Sequence, residues 1–231
     1  MPAITRRPYE VADLGSLVDL LRACWEHDGM SDLNLDRLRD RYLDERPSRD
    51  RTVHVWEAGG ALAALAAVWR QVDDTEGEAD GQVEIHPAFR RPGLEGEVIQ
   101  TLRSSARPPG GHPITLRVGG RDRQAWKAAM LGCHGFAVDR TFHRMSCDLT
   151  ESIAVPVGDD GYAVCPLAGD AEVVAWCQTA TAAFADHYGA PTFEPDERHR
   201  RMLGPEYVRA ADLVAVGPDG DVVGIALSSR P

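Results

Sequence analysis

The chain has 231 residues, 43% hydrophobic and 26% charged, with a formal net charge of −11. That is enough for one large or two modest globular domains, and the acidic balance disfavours a non-specific nucleic-acid binder. No apolar run reaches the roughly 18–20 residues that cross a bilayer, so neither nucleic acid nor membrane is an expected partner. The five cysteines, Cys24, Cys133, Cys147, Cys165 and Cys177, contain no C-x-x-C pair. Their spacing argues against a metal site and against a disulfide framework. The opening MPAITRRPYE has no apolar core of a leader, so a cytoplasmic setting is expected.

Taken in order, Ala3–Arg7 reads as a strand and Asp13–Glu26 as a helix with Leu14, Leu17, Val18, Leu21 and Trp25 on one face. A shorter helix is expected near Leu35–Leu43, ending before Pro47. Strands Thr52–Glu57 and Ala61–Val72 flank Gly59-Gly60, a hairpin signal. The acidic stretch 73–81 reads as a loop. After it come strand 83–86, helix 94–107, a Pro/Gly loop over 108–113, strand Ile114–Val118, helix Gln124–Cys133 and strand Phe136–Asp148. A linker is expected over 151–161, rich in Pro, Gly and Asp. Beyond it lie strand Tyr162–Val164, helix Ala171–His187, helix Pro195–Leu203 and a hairpin of Leu213–Val216 with Val222–Leu227. That order repeats the opening of the first unit, which suggests tandem duplication with a partial second copy.

The stretch HPAFRRPGLEGEVIQTL, His86–Leu102, carries the most chemistry. A strand, a turn holding Arg90, Arg91 and Gly93, and a helix N-terminus make an anion site, because free backbone N–H groups and the helix dipole converge there. Pro92 removes one of those N–H groups. Glu95 puts a carboxylate in the first helical turn, where it competes with a phosphate for the same field.

Residues 3–150 resemble the GNAT superfamily of acyl-CoA-dependent N-acyltransferases. The resemblance rests on ITRRPYEVADLGSLVDLL, VEIHPAFRRPGLEGEVIQTL and LGCHGFAVDRTFHRMSCDL. In that family the turn runs Gln/Arg-x-x-Gly-x-Gly/Ala. Arg90 and Gly93 match, while Glu95 takes the third position and Gly96 falls one place late. The resemblance implies an α+β fold, an α/β mixed sheet with splayed central strands. It implies acetyl-CoA as cofactor, with Arg90, Arg91, Gly93, Leu94 and Gly96 at the pyrophosphate. The backbone from Val83 to Ile85, together with Gln124, would meet the pantetheine arm. An acetyl group would pass by direct attack to an amine of a small-molecule or peptide acceptor.

Glu84, whose side chain alternates with those of Val83 and Ile85, and His86, able to titrate near neutrality, are the candidate general bases. Each has a bland reading beside it, an exposed strand residue and a turn histidine. Many family members carry a Tyr four residues before the Gly-Phe that opens the last strand. Here that place is Leu131, which has no proton to give. The resemblance implies a GNAT-like domain over 1–150, the linker 151–161, and a partial repeat over 162–231. The repeat resembles the second domain of tandem acyltransferases on AFADHYGAPTF and LVAVGPDGDVVGIALSS. Within it, Asp186-His187-Tyr188 reads as an acceptor-pocket motif or as a helix C-terminus carrying a favourable His. An open edge at Val222–Leu227 makes a homodimer an expectation. The rival expectation is a non-catalytic GNAT-fold module that binds CoA or a protein partner, and a third is a piece of a longer tandem enzyme.

Overall fold

The computed structural model describes residues 3–30, 38, 41–43, 49–71, 77–107, 114–143, 161–186, 192–204 and 207–229. The chain divides into two units, Met1–Phe142 and His143–Pro231.

In the first unit the elements are β1 (Ile4–Pro8), α1 (Leu14–His27), β2 (Arg49–Ala58), β3 (Ala61–Gln71), β4 (Glu78–Ile85), α2 (Pro92–Ala106), β5 (Thr115–Val118) and α3 (Ala125–Cys133). The sheet runs β1-β2-β3-β4-β5, antiparallel except for the parallel pair β4–β5. Gly59 and Gly60 close the β2–β3 hairpin with φ of +61° and +85°, the conformation that a tight turn between right-twisted strands demands. β3 is apolar at almost every position because helices cover both faces of it. Leu65, Ala67 and Trp69 pack with Leu17, Leu21 and Cys24 of α1. Ala64, Ala66 and Val68 pack with Val98, Ile99 and Leu102 of α2.

Several elements depart from the sequence expectation. Residues 78–81, read as loop, open β4 and are the part of it that pairs β5. Their acidic composition hid the strand; Glu78 is neutralised by an ion pair to Arg117. α2 starts at Pro92, two residues early, since a proline suits a first helical position whose N–H has no helical partner. The expected strand over Phe136–Asp148 is not found among the described residues 136–143, and 144–148 lie outside them. There Arg103 stacks on Phe136 and Arg117 pairs with Asp139, so side-chain contacts hold the segment in place of a ladder. Of the helix expected near 35–43, Leu38 and 41–43 are described and helical.

The second unit has β6 (Ala163–Pro166), α4 (Asp170–Ala183), α5 (Pro195–Met202), β7 (Tyr207–Val216) and β8 (Val222–Ser229). The helix expected to reach His187 ends at Ala183, and 187–191 lie outside the described residues. Its sheet is β6-β7-β8, antiparallel throughout, over a core of Leu167, Val173, Trp176, Cys177, Ala180 and Val214. Two helices between the first strand and a following hairpin repeat the opening order of the first unit.

Gly81 is the last residue of β4 that pairs with β5. A Cβ there would come within 3.1 Å of Leu116 and Val118 and 3.3 Å of Leu102. Gly81→Val is expected to destabilise the first unit by about 1–3 kcal/mol through overpacking, read as a lowered urea midpoint. A second prediction concerns the start of α1. Arg7 donates to both oxygens of Asp13 at 2.7 Å, and this holds the Asp13 carboxyl below the usual carboxylate range against the opposing effect of burial. A depressed carboxyl stabilises the fold above its unfolded value of about 4 and loses that contribution as pH falls. Asp13→Asn is therefore expected to cost stability at neutral pH, with the difference from wild type closing below the carboxylate range in pH-dependent melts.

Candidate functional site

β4 and β5 pair through Glu78–Thr115, Ala79–Leu116, Asp80–Arg117 and Gly81–Val118, and no further. β4 itself continues against β3 to Ile85. Residues 82–85 of β4 therefore run past the end of β5 at Val118, leaving a gap in the pairing on that side. His86 donates its N–H to Ala63 O at 2.9 Å, and the register pairs Leu65 with Glu84. In an antiparallel ladder alternate residues exchange their bonds with the partner, so Gln82 and Glu84 face β3. The backbone groups of Val83 and Ile85 then turn toward the gap. The bond from Thr115 N–H to Gly77 O, 2.7 Å, shows the same alternation at the other end of β4.

Side chains alternate across the same strand. Val83 and Ile85, fully buried, join the α2 core. Gln82 faces the α1 side, where its Oε1 accepts from Tyr42 Oη at 3.1 Å. Glu84 points the same way by the period of two. It is buried, and its Oε1 accepts from Lys127 Nζ at 2.6 Å. The two partners are 5% and 2% exposed. Glu84 Oε2 meets no donor among the described residues. Glu84 is thus an internal ion-pair partner and not the exposed strand residue of the bland reading.

A second buried pair sits beside the first. Asp28, at the C-terminal end of α1, accepts from Arg90 Nη1 at 2.8 Å and Nη2 at 3.0 Å. Trp126 Nε1 donates to the same carboxylate at 3.0 Å and Gln124 Nε2 at 3.5 Å. An anion at that helix end faces the negative pole of the dipole, so it needs these donors. Burial raises the Asp28 carboxyl, but bonds from Arg90 and Trp126 outweigh it and hold it below the ordinary value. Arg90 also stacks over Trp126, 3.9 Å to the ring centroid, and its Nε donates to Ile85 O at 3.2 Å. Cys24 Sγ donates to that same oxygen at 3.3 Å. Burial, then the Glu84 charge, pushes the Cys24 thiol up to about 12.

The other sequence candidates divide. His86 caps the short 3-10 turn Pro87–Phe89, its Nδ1 accepting from Ala88 N–H at 3.2 Å and its ring edge-on to Phe89. Burial, then Arg90 and His27, lower its pKa, so it stays neutral to lower pH than an ordinary histidine. At the start of α2, Glu95 N–H is bonded to Arg91 O at 3.0 Å. Gly93 and Leu94 precede it and have no helical acceptor for their N–H groups. A Cβ at Gly93 would meet nothing within 4 Å, and one at Gly96 would meet only His134 at 3.7 Å. Leu94 sends its side chain into the core, leaving only its backbone for a ligand. Arg91 is the exposed N-cap of α2. Gln124, buried, accepts from Arg121 N–H at 3.2 Å and so ties the turn before α3 to Asp28.

Structure thus brings together Val83, Glu84, Ile85, Arg90 and Gln124, while Gly93, Leu94 and Gly96 sit at the α2 N-terminus. Sequence reasoning missed Asp28, Trp126 and Lys127. A signal existed for the last: Lys127 lies at helical spacing from Met130 and shares its burial, so a lysine occupied the apolar stripe of α3.

The site is thus the end of β4 beyond its last β5 partner, next to a helix N-terminus whose first N–H groups have no helical acceptor. No family model matches the chain. It is 28% identical over 215 residues to the mycothiol acetyltransferase of Thermomonospora curvata, covering 91% of this chain and 67% of that protein. It is 31% identical over 167 residues to the mycothiol acetyltransferase of Kineococcus radiotolerans, covering 70% of this chain and 52% of that one. The chain spans between about half and two thirds of the length of these relatives. Among solved structures, a GCN5-related N-acetyltransferase from Sphaerobacter thermophilus aligns with a TM-score of 0.67 at 19% identity, over 99% of this chain and 72% of that one. A tandem GNAT protein from the clavulanic acid biosynthesis pathway aligns with a TM-score of 0.61 at 15% identity, over 99% and 76%. By these comparisons the chain has a GNAT fold and is similar in sequence to the mycothiol acetyltransferases.

Proposed function

We propose that this chain is an N-acetyltransferase that moves an acetyl group from acetyl-CoA to the amine of a small-molecule acceptor by direct attack. The observation that carries the reading is the end of the β4–β5 pairing at Gly81–Val118, which leaves residues 82–85 of β4 without a β5 partner and the backbone of Val83 and Ile85 turned to that side. In this reading, Val83 and the Ile85 N–H hold the pantetheine arm. Gly93 and Leu94 N–H groups hold the pyrophosphate, with Arg91 and Gly96 beside them, while Arg90 stays committed to Asp28 and braces the mouth of the gap. The donor supplies an acetyl thioester; the protein supplies orientation and a place for the protons. Glu84 takes the proton of the amine in this reading. The neutral His86 is the second candidate.

The relatives are named for mycothiol, and an acceptor of that kind is the one we propose here. A cytoplasmic setting is proposed on the same grounds; no helix among the described residues is long and apolar enough to cross a membrane. A homodimer through the β8 edge, tested by light scattering, is part of the proposal.

A second reading rests on two observations. Arg90 and Lys127 both occupy the region of the gap, and Leu131 stands on α3 where a hydroxyl would serve. In that reading the chain is a non-catalytic module that binds CoA or a protein partner.

The deciding experiment is thiol release from acetyl-CoA in the presence of a panel of small primary amines that includes amino sugars, with calorimetric titration of acetyl-CoA alongside. Turnover with micromolar binding is expected. Binding without thiol release on any amine gives the second reading, and no binding at all overturns both uses of CoA. One further outcome follows from the turn. Glu95→Gln removes a carboxylate from the first turn of α2 and is expected to tighten acetyl-CoA about 2- to 5-fold, the scale of one charge at a helix N-terminus, read by the same titration.

A further inference from the structure

The acetyl-transfer reading, on which this inference rests, leaves one chemical role unfilled, because the departing thiolate needs a proton. Leu131 provides none. Cys24 already donates to Ile85 O, and Tyr42 Oη already donates to Gln82. Cys133 is exposed on the last turn of α3. Lys127 remains. It lies four residues before Leu131, hence on the same face of α3 one turn earlier. It is 2% exposed, and a Cβ at Gly120, just past β5, would touch its Cδ at 3.7 Å. Its stem therefore runs from α3 past the end of β5, and its Nζ reaches Glu84 on β4. That course leads from α3 to the stretch of β4 that has no β5 partner.

We propose that Lys127 is the general acid of the transfer and that it forms with Glu84 a self-resetting proton couple. The amine nitrogen bonds to the thioester carbonyl carbon, and the surplus proton of the amine passes to Glu84 Oε2, the oxygen without a donor. The carbon–sulfur bond breaks with its electron pair on sulfur, and Lys127 Nζ gives that sulfur a proton to make the free thiol. Glu84 is then a neutral acid and Lys127 a neutral amine. A half-turn of the Glu84 carboxyl presents its proton to Nζ across a contact of 2.6 Å, restoring carboxylate and ammonium. The sum is thioester plus amine giving amide plus thiol. The couple carries zero net charge at both stages, so the buried site is not asked to hold an uncompensated charge. Among the described residues, Cys24 and Tyr42 feel the Glu84 charge and Cys24 also feels Lys127 and Arg90, the last of which is paired with Asp28.

The test reads the thiol of bound CoA directly, by ultraviolet thiolate absorbance against pH, so it needs no acceptor. Free thiols titrate near about 8.5, and a neighbouring ammonium lowers that to about 7.5 or below. Wild type is expected to show the lowered titration. Lys127→Met is expected to return it to the free value. Because Lys127→Met strands a buried carboxylate, the double variant Lys127→Met with Glu84→Gln is made beside it; removing both charges keeps the site neutral and the fold intact by melting. With acetyl-CoA and the amine panel, both variants should lose about 100-fold or more in kcat while calorimetry shows CoA still bound. A bound thiol that titrates alike in wild type and a folded variant overturns the role of Lys127 and leaves the transferase reading standing. Absence of CoA binding by wild type removes both.

Discussion

A strand in mid-sheet that loses its neighbour exposes a row of backbone donors and acceptors on one side, and buried groups of that kind must find partners. β4 meets this constraint after Gly81, and most of the first unit is arranged around it. Helix α2 leaves from the end of β4, α1 delivers Asp28 and Cys24 to the same place, and α3 closes the far side with Gln124, Trp126 and Lys127. Ile85 O shows the constraint at work, taking hydrogen bonds from both Arg90 and Cys24. A ligand with amide groups of its own could satisfy the rest of the strand in the same way.

Charge at the site is organised as two pairs, Glu84 with Lys127 and Asp28 with Arg90, all four side chains at most 12% exposed. Burying single charges is prohibitive, and buried pairs add little net stability over an apolar core. A packed alternative would hold the fold as well. The pairs are therefore better explained by what they do in the gap than by what they add to folding: one braces the Ile85 carbonyl and the turn before α3, and the other brings an ammonium and a carboxylate together.

Much of the fold was legible because its signals are local. Gly59-Gly60 marked a hairpin, the stripe of Leu14, Leu17, Val18, Leu21 and Trp25 marked a helix face, and Val98, Ile99 and Leu102 marked another. Strand, turn and helix around His86–Leu102 were read in the order in which they occur. What escaped depends on distant partners. Residues 78–81 look like loop until Thr115–Val118 pairs them and Arg117 neutralises Glu78. Phe136 opens an apolar run, yet Arg103 and Arg117 draw the segment into side-chain contacts. Arg90 read as a phosphate ligand because nothing local reveals Asp28, 62 residues away in sequence. Lys127 was passed over for the same reason, although a lysine in an apolar helical stripe asks for a buried partner.

The central claim is that the open backbone of β4 and the first turn of α2 together receive acetyl-CoA. Residue-resolved amide hydrogen exchange with and without acetyl-CoA tests it most directly. The account predicts slowed exchange at Val83, Ile85, Gly93 and Leu94 as the donor saturates. Unchanged exchange at all four under saturating acetyl-CoA would contradict it.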